Sequence, residues 1–368
     1  MDFRLTARQE ELRGAARELT EFIMKYEIDC EENNGLPPRA HTEIRDAVLD
    51  SGLQAVNMPV EWGGAGLTVL EQVTVQAELG RLTGALWDMV WRPANALSFC
   101  TPEQRERYLV PVIRGRRRDC YAVSEPEAGS DPQSIRTTAT RADGGWVLNG
   151  EKWFVTVGDH ADFMIVLAAA GEERAPTLFL VDKDTPGIEM TRVPRWMHTF
   201  VYEHPEFTFT EVFVPEDAVL GEVGQGYDIT RSWFTEERLM IAARTIGAAE
   251  RALELARDWA VERRQFGSPI ADFQLIQGML TAPSTSPSTA PTPTRSPGRS
   301  TRAWPTARRC TPRPPSRSWR RARPPAGSST GACRSSAAAA TTAPTRSSVS
   351  TASCASTGSG RAPPRSSV

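Results

Sequence analysis

Apolar residues recur at helical spacing near the start of the chain. Leu12, Ala16, Leu19, Phe22 and Ile23 predict a helix over Thr6 to Tyr26, and the same period returns over Pro38 to Ser51 and Thr68 to Leu82. From Asp119 the pattern changes to short β-rich runs split by Gly, Pro, Asp and Asn: CYAVSE, GWVLNGEKWFVT, FMIVLAAA, TLFLVDKD and FTFTEVFVP. These predict a small antiparallel sheet domain of about a hundred residues. Tyr227 to Arg264 is helical again, through Ile241, Ile246, Ala249, Leu253, Ala256 and Ala260. The order α, β, α defines an α+β multidomain chain. Its expected divisions are an all-α domain over 1–118, a β domain over 119–226, the start of a helical bundle over 227–280, and a distinct segment over 281–368.

Composition sharpens the last boundary. The 368 residues carry a formal net charge of −2, with 40% hydrophobic and 24% charged residues, as in an ordinary globular protein. That average hides a break. No Asp or Glu follows Asp272 and no Lys follows Lys183, whereas residues 281–368 hold fourteen Arg among Ser, Thr, Pro and Ala. The first 280 residues therefore carry 29 basic against 45 acidic side chains, and the remainder is wholly basic. A segment so poor in large apolar residues cannot offset its chain entropy by burial, so disorder is expected there. Cys30, Cys100, Cys120, Cys310, Cys333 and Cys354 form no CxxC pair, which signals neither a disulfide framework nor a zinc site, and no metal is expected. A reducing, cytoplasmic setting fits. The charged start MDFRLTARQEELRGAARELTEFI is not a signal peptide, and no run approaches the length of a membrane span.

Three stretches carry chemistry: YAVSEPEAGSD, GWVLNGEKWFVT and ERRQFGSPIADFQLIQ. Taken alone they are ordinary. The first is a strand with a Ser and a turn, the third a helix C-terminus with its Gly stop. Together, and with LFLVDKDTPGIE, VFVPEDAVLGEVGQGY and ERLMIAARTIGAAERALE in order, they resemble the acyl-CoA dehydrogenase family from the first helix to about Leu280. The resemblance implies an FAD-dependent oxidoreductase with an N-terminal helical domain, a middle β domain and a C-terminal four-helix bundle. No GxGxxG or P-loop is present, so the flavin would be held by strands and a partner subunit rather than a Rossmann turn.

The resemblance also implies site residues. Tyr121, Val123 and Ser124 would contact the flavin pyrimidine edge, with Phe154 beside the ring and Thr156 near N5. Many relatives have Trp where Phe154 stands, so an indole donor is lost while the stacking surface is kept. Arg263, Gln265 and Phe266 match a segment that reaches a neighbouring subunit's FAD pyrophosphate and adenosine. Ser130 and Arg238 match positions near the thioester arm and acyl-CoA pocket; without the family, Ser130 is a turn residue and Arg238 half of a surface ion pair. Implied partners are an acyl-CoA substrate, electron-transferring flavoprotein as acceptor, and a homodimer or homotetramer, with neither nucleic acid nor membrane. The stretch RVPRWMHTFVYEHPEF departs from the family linker, so no contact near His198 or Tyr202 carries over.

The family reaction removes an α-proton with a carboxylate base while a β-hydride passes to flavin. Such a base is usually a Glu in a late W/Y-E-G-T motif, which this chain lacks. If each tail codon begins at the second base of a true-frame codon, Gly360 to Ser367 can be re-read as WEGTSEIQ, and Arg334 to Thr345 as QILGGRGYDRTN, a form of the family's QxLGGxGY. Two family motifs in one alternative frame imply that the frame is lost near Leu280. The expected consequence is a truncated bundle, poor folding and an inactive chain as written. Glu237 is the alternative base, because a minority of relatives supply their carboxylate from this helix. Competing readings are a non-catalytic acyl-CoA-binding protein, an Arg-tail nucleic-acid-binding protein, and another flavin reaction on the same fold.

Overall fold

A computed structural model describes residues 4–197 and 201–281. The tail, including the re-read segments, and His198 lie outside the described residues.

The N-terminal region is built from α1 (Ala7–Met24), α2 (Glu27–Glu32), α3 (Pro38–Ser51) and α4 (Val69–Leu79), followed by the short turns α5 (Pro102–Gln104) and α6 (Val110–Ile113). Its helix starts are written in sequence. Thr6 and Thr68 each accept the amide N–H three residues on, and Gln9 and Glu71 reach back to the cap backbone, forming two capping boxes. α3 begins with Pro38 and stops at Gly52, whose φ of 67° is the left-handed cap that glycine adopts without steric cost. Leu12, Ala16, Leu19 and Ile23 line the buried face of α1, as the spacing predicts.

Strands β1 (Asp119–Ala122), β2 (Thr138–Ala142), β3 (Gly145–Lys152), β4 (Phe163–Ala170), β5 (Ala175–Asp182), β6 (Ile188–Arg192), β7 (Glu206–Pro215) and β8 (Val219–Leu220) follow. They form one sheet in the order β6-β7-β3-β2-β4-β5-β8, with β1 also on β4. Most neighbours are antiparallel, but β4 runs parallel to both β1 and β2. β4 is buried along its whole length because its two faces enter two cores. Phe163, Ile165, Leu167 and Ala169 join the helical core, while Met164, Val166, Ala168 and Ala170 join the core of the sheet itself. An uninterrupted apolar run is the sequence form of such a doubly covered strand.

After the sheet comes α7 (Gly226–Glu262), then a small hairpin of β9 (Arg264–Gln265) and β10 (Ser268–Pro269), and α8 (Gln274–Thr281). α7 crosses α4 at two glycines. A Cβ on Gly80 would collide with the Arg244 carbonyl, and one on Gly247 with the Ala77 carbonyl. The crossing brings α7's inner face against α4. Elsewhere on α7 large apolar side chains are exposed, among them Leu239, Leu255, Trp259 and Val261. Among the described residues no helix is long and apolar enough to cross a membrane, and no group of His, Cys, Asp or Glu is arranged to hold a metal ion.

Candidate functional site

A cleft of about 670 Å³ opens where the N-terminal helices, the edge of the sheet at β1 and helix α7 meet. Tyr121, Val123, Ser124, Phe154, Thr156 and Glu237 all line it, although they are spread over more than a hundred residues of sequence. A larger surface cavity of about 830 Å³, between Arg45, Trp62, Arg105 and Arg116, holds none of the candidate residues.

Two chain segments make the wall at the sheet edge. β1 continues into Val123 and Ser124, and β3 continues into Trp153 to Thr156. They are tied together by the Trp153 N–H donating to the Ser124 carbonyl at 2.8 Å, and by Lys152, whose ammonium donates to the Val123 carbonyl at 3.1 Å and the Glu125 carboxylate at 2.6 Å. Lys152 is fully enclosed, and Glu125 also accepts the amide N–H groups of Arg136 at 2.5 Å and Thr137 at 3.1 Å. Burial lowers the Lys152 ammonium to about 8, against the pull of Glu125. For Glu125 burial works upward, but the charge and hydrogen bonds around it prevail and hold its carboxyl below the ordinary value.

Phe154 follows in the left-handed region, at φ 55°, with its ring 41% exposed to the cleft side and edge-on to Trp153 and Trp196. A bulky residue in that conformation is strained by an amount on the order of 1–3 kcal/mol. Such strain at an exposed aromatic points to a presented surface. Thr156 shares a hydrogen bond with His204 Nδ1 at 3.0 Å. Tyr121 lies flat on Trp233 of α7, with centroids 4.3 Å apart and planes at 11°, and its hydroxyl meets Thr230 at 3.0 Å.

The opposite wall is charged but balanced. Arg92 binds both Glu236 and Glu237; the other Glu237 oxygen accepts from Arg244 at 2.6 Å, and Arg244 donates to Gln76 at 2.9 Å while lying 4.2 Å over the Trp87 ring. Asn95 donates to Glu236 at 2.9 Å. Arg118 pairs with Asp88, and Asp119 accepts the Ala94 N–H at 3.0 Å. Both Glu237 oxygens are therefore occupied by guanidinium groups, a setting that holds the carboxylate in place.

The remaining predicted residues are elsewhere. Ser130 lies exposed in the bend after Ala128, away from the cleft lining. Arg238 points outward from α7 with its guanidinium 5.7 Å over the Phe234 ring, in place of the surface ion pair its position suggested. Arg263, Gln265 and Phe266 are on the turn beyond α7, where Phe266 is 98% exposed and Gln265 donates to the Arg264 carbonyl at 2.6 Å. Within one chain they do not reach the cleft. Sequence reading missed the Glu125–Lys152 pair, the Arg92–Glu237–Arg244 cluster, Trp233 and His204. The pair had a usable signal: an acid and a lysine, each within a quoted motif at the end of a β-rich run. In the cluster, Glu237 and Arg244 stand two turns apart on α7, and only Arg92, from a distant turn of the chain, is brought to them by the fold.

Comparisons with known proteins agree with this architecture. The acyl-CoA dehydrogenase N-terminal domain matches residues 6–116, the middle domain 120–212, and the C-terminal domain 224–285. Benzylmalonyl-CoA dehydrogenase of Aromatoleum aromaticum is 35% identical over 292 residues, covering 77% of this chain and 76% of the relative. An acyl-CoA dehydrogenase of Bacillus subtilis is 34% identical over 242 residues, 64% of each chain. Among solved structures, butyryl-CoA dehydrogenase from Megasphaera elsdenii superposes with a TM-score of 0.69 at 29% identity, covering 76% of both chains. The chain belongs to the acyl-CoA dehydrogenase family of oxidoreductases.

Proposed function

We propose that this protein, read in its intact frame, is an FAD-dependent enzyme that converts an acyl-CoA thioester to a trans-2-enoyl-CoA. The observation that carries this reading is the cleft, which gathers Tyr121, Val123, Ser124, Phe154 and Thr156 on one wall and α7 on the other. A flat ring system fits the residues present: the half-exposed Phe154 offers an apolar face on strained backbone, and Ser124 and Thr156 supply hydroxyls beside it. FAD bound there supplies the hydride acceptor. The protein's own work is placement: the tied segments of β1 and β3 hold the ring's edge, and the thioester lies between that wall and α7. Arg263, Gln265 and Phe266 serve the FAD of a partner subunit, which makes the active form a homo-oligomer. Electron-transferring flavoprotein is the proposed acceptor and the cytoplasm the proposed location.

Glu237 acts in this reading as an anchor between Arg92 and Arg244 rather than as the base. The base is the Glu of WEGTSEIQ, encoded beyond Leu280 in the other frame. Sequencing peptides from the protein isolated from its native source tests this, together with its visible spectrum. Peptides reading WEGTSEIQ in a yellow protein bleached by an acyl-CoA are expected. Colourless protein ending GSGRAPPRSSV, with salt-sensitive DNA binding, would overturn the reading.

A further inference from the structure

Eight Phe, Trp or Tyr side chains stand among the 28 residues lining the cleft, against 8% aromatic residues in the chain as a whole. Tyr121, Trp153 and Phe154 belong to the segments assigned to the cofactor. The other five, Trp87, Trp91, Tyr202, Trp233 and Phe234, come from three separate parts of the fold. Tyr121 and Trp233 are stacked, and Trp233 continues to Phe234 at 5.3 Å and 37°, so strand and helix share one aromatic surface. An alkyl chain gains from such a surface only apolar burial. An aryl group gains in addition the offset-stacked and edge-to-face contacts that rings prefer.

The charges in the same cleft point away from an anionic acyl group. Its three guanidinium groups are already engaged: Arg92 by Glu236 and Glu237, Arg244 by Glu237 and Gln76, Arg118 by Asp88. Three carboxylates, Asp88, Asp119 and Glu237, face the same space. A substrate carboxylate would have to break an existing pair and lie beside like charge, both of which cost affinity.

We infer that the acyl group accepted here is uncharged and carries an aromatic ring, of the arylpropionyl class, held against the Trp233–Phe234 surface of α7, which Tyr121 backs from the strand side. The inference rests on the acyl-CoA reading above and adds the identity of the acyl moiety.

The test is equilibrium binding to the protein isolated from its native source and saturated with FAD, followed by flavin absorbance and protein fluorescence, with 3-phenylpropionyl-CoA, octanoyl-CoA, glutaryl-CoA and free CoA as probes. The phenylpropionyl thioester is expected to bind about fivefold more tightly than octanoyl, the size of one ring-on-ring contact. Glutaryl-CoA is expected to bind no better than CoA. Octanoyl binding as tightly as phenylpropionyl, or glutaryl binding more tightly than CoA, overturns the inference and leaves the acyl-CoA reading standing. If flavin binds and no thioester exceeds CoA, the acyl-CoA reading fails and the inference with it. Trp233→Leu keeps apolar bulk but removes the ring, and should bring the phenylpropionyl-to-octanoyl ratio to about one. If that variant no longer takes up FAD, Phe234→Leu is expected to lower the ratio in the same direction, and an unchanged ratio there counts against the inference.

Discussion

The Lys152 ammonium donates to the Glu125 carboxylate at 2.6 Å, with Lys152 wholly out of contact with solvent. The pair joins the end of β3 to the segment after β1, the two pieces of backbone that form the cofactor wall. Removing one partner leaves the other as a buried, uncompensated charge. Lys152→Met is therefore expected to cost about 3–5 kcal/mol of folding stability. Urea unfolding of the described globular part measures it, and a loss below about 1 kcal/mol would show that water reaches Glu125 in solution.

The same pair sets an acid limit. The Glu125 carboxyl lies below its ordinary 4.5 in the folded protein, since the Lys152 charge and the surrounding hydrogen bonds outweigh the upward push of burial. Its contribution is complete above the unfolded value and is lost as pH falls through the lower folded value. Urea midpoints between about pH 6 and pH 3 should fall more steeply for the natural protein than for Glu125→Gln. The variant should also be the less stable of the two at neutral pH.

Glu237→Gln tests the anchoring role in protein with the frame restored. One charge is lost between Arg92 and Arg244 while the shape is kept, so a stability loss of about 1–3 kcal/mol is expected. The rate of flavin reduction by acyl-CoA should fall by less than about tenfold, whereas loss of a required base costs on the order of a hundredfold or more. A fall of the latter size would make Glu237 the base.

Gly247→Ala should separate α7 from α4. The added methyl meets the Ala77 carbonyl, which is backbone in a helix and cannot step aside. Overpacking of this kind costs about 1–3 kcal/mol, and here it also displaces Arg244 from Gln76. A drop in Tm with loss of FAD uptake is expected.

Trp259 is 60% exposed on α7, one turn from the exposed Leu255. In the present chain, Trp259→Gln should reduce binding of a hydrophobic dye and leave stability within about 0.5 kcal/mol. With the frame restored, where the bundle covers this face, the same change should cost about 1–3 kcal/mol.

Much of this architecture is legible in the sequence because it follows local rules. The capping boxes at Thr6 and Thr68 and the period of α1 fix the helices of the first domain, and the all-apolar β4 announces a strand covered on both sides. β2 and β6 are harder to see. TATRA and IEMTR are short and largely exposed, so their pairing comes from neighbours rather than their own pattern. The motif residues of the cofactor wall were legible only through family resemblance, since a strand with a Ser has no intrinsic signal. The contact of Arg244 with Gln76 depends on Gly80 and Gly247 admitting a close helix crossing, a condition that no window of sequence expresses.

Tyr121 is fastened to α7 twice, by its stack on Trp233 and by its hydroxyl at Thr230. The helix that it grips has 37 residues, which makes a lever about 55 Å long. Farther along, α4 grips the same rod where Gly247 meets Ala77, and Arg81 and Glu27 hold Glu254 and Arg251. A displacement of α7 is therefore never local: it is felt at the cofactor wall and in the helical domain at once, so the two sides of the cleft move as one.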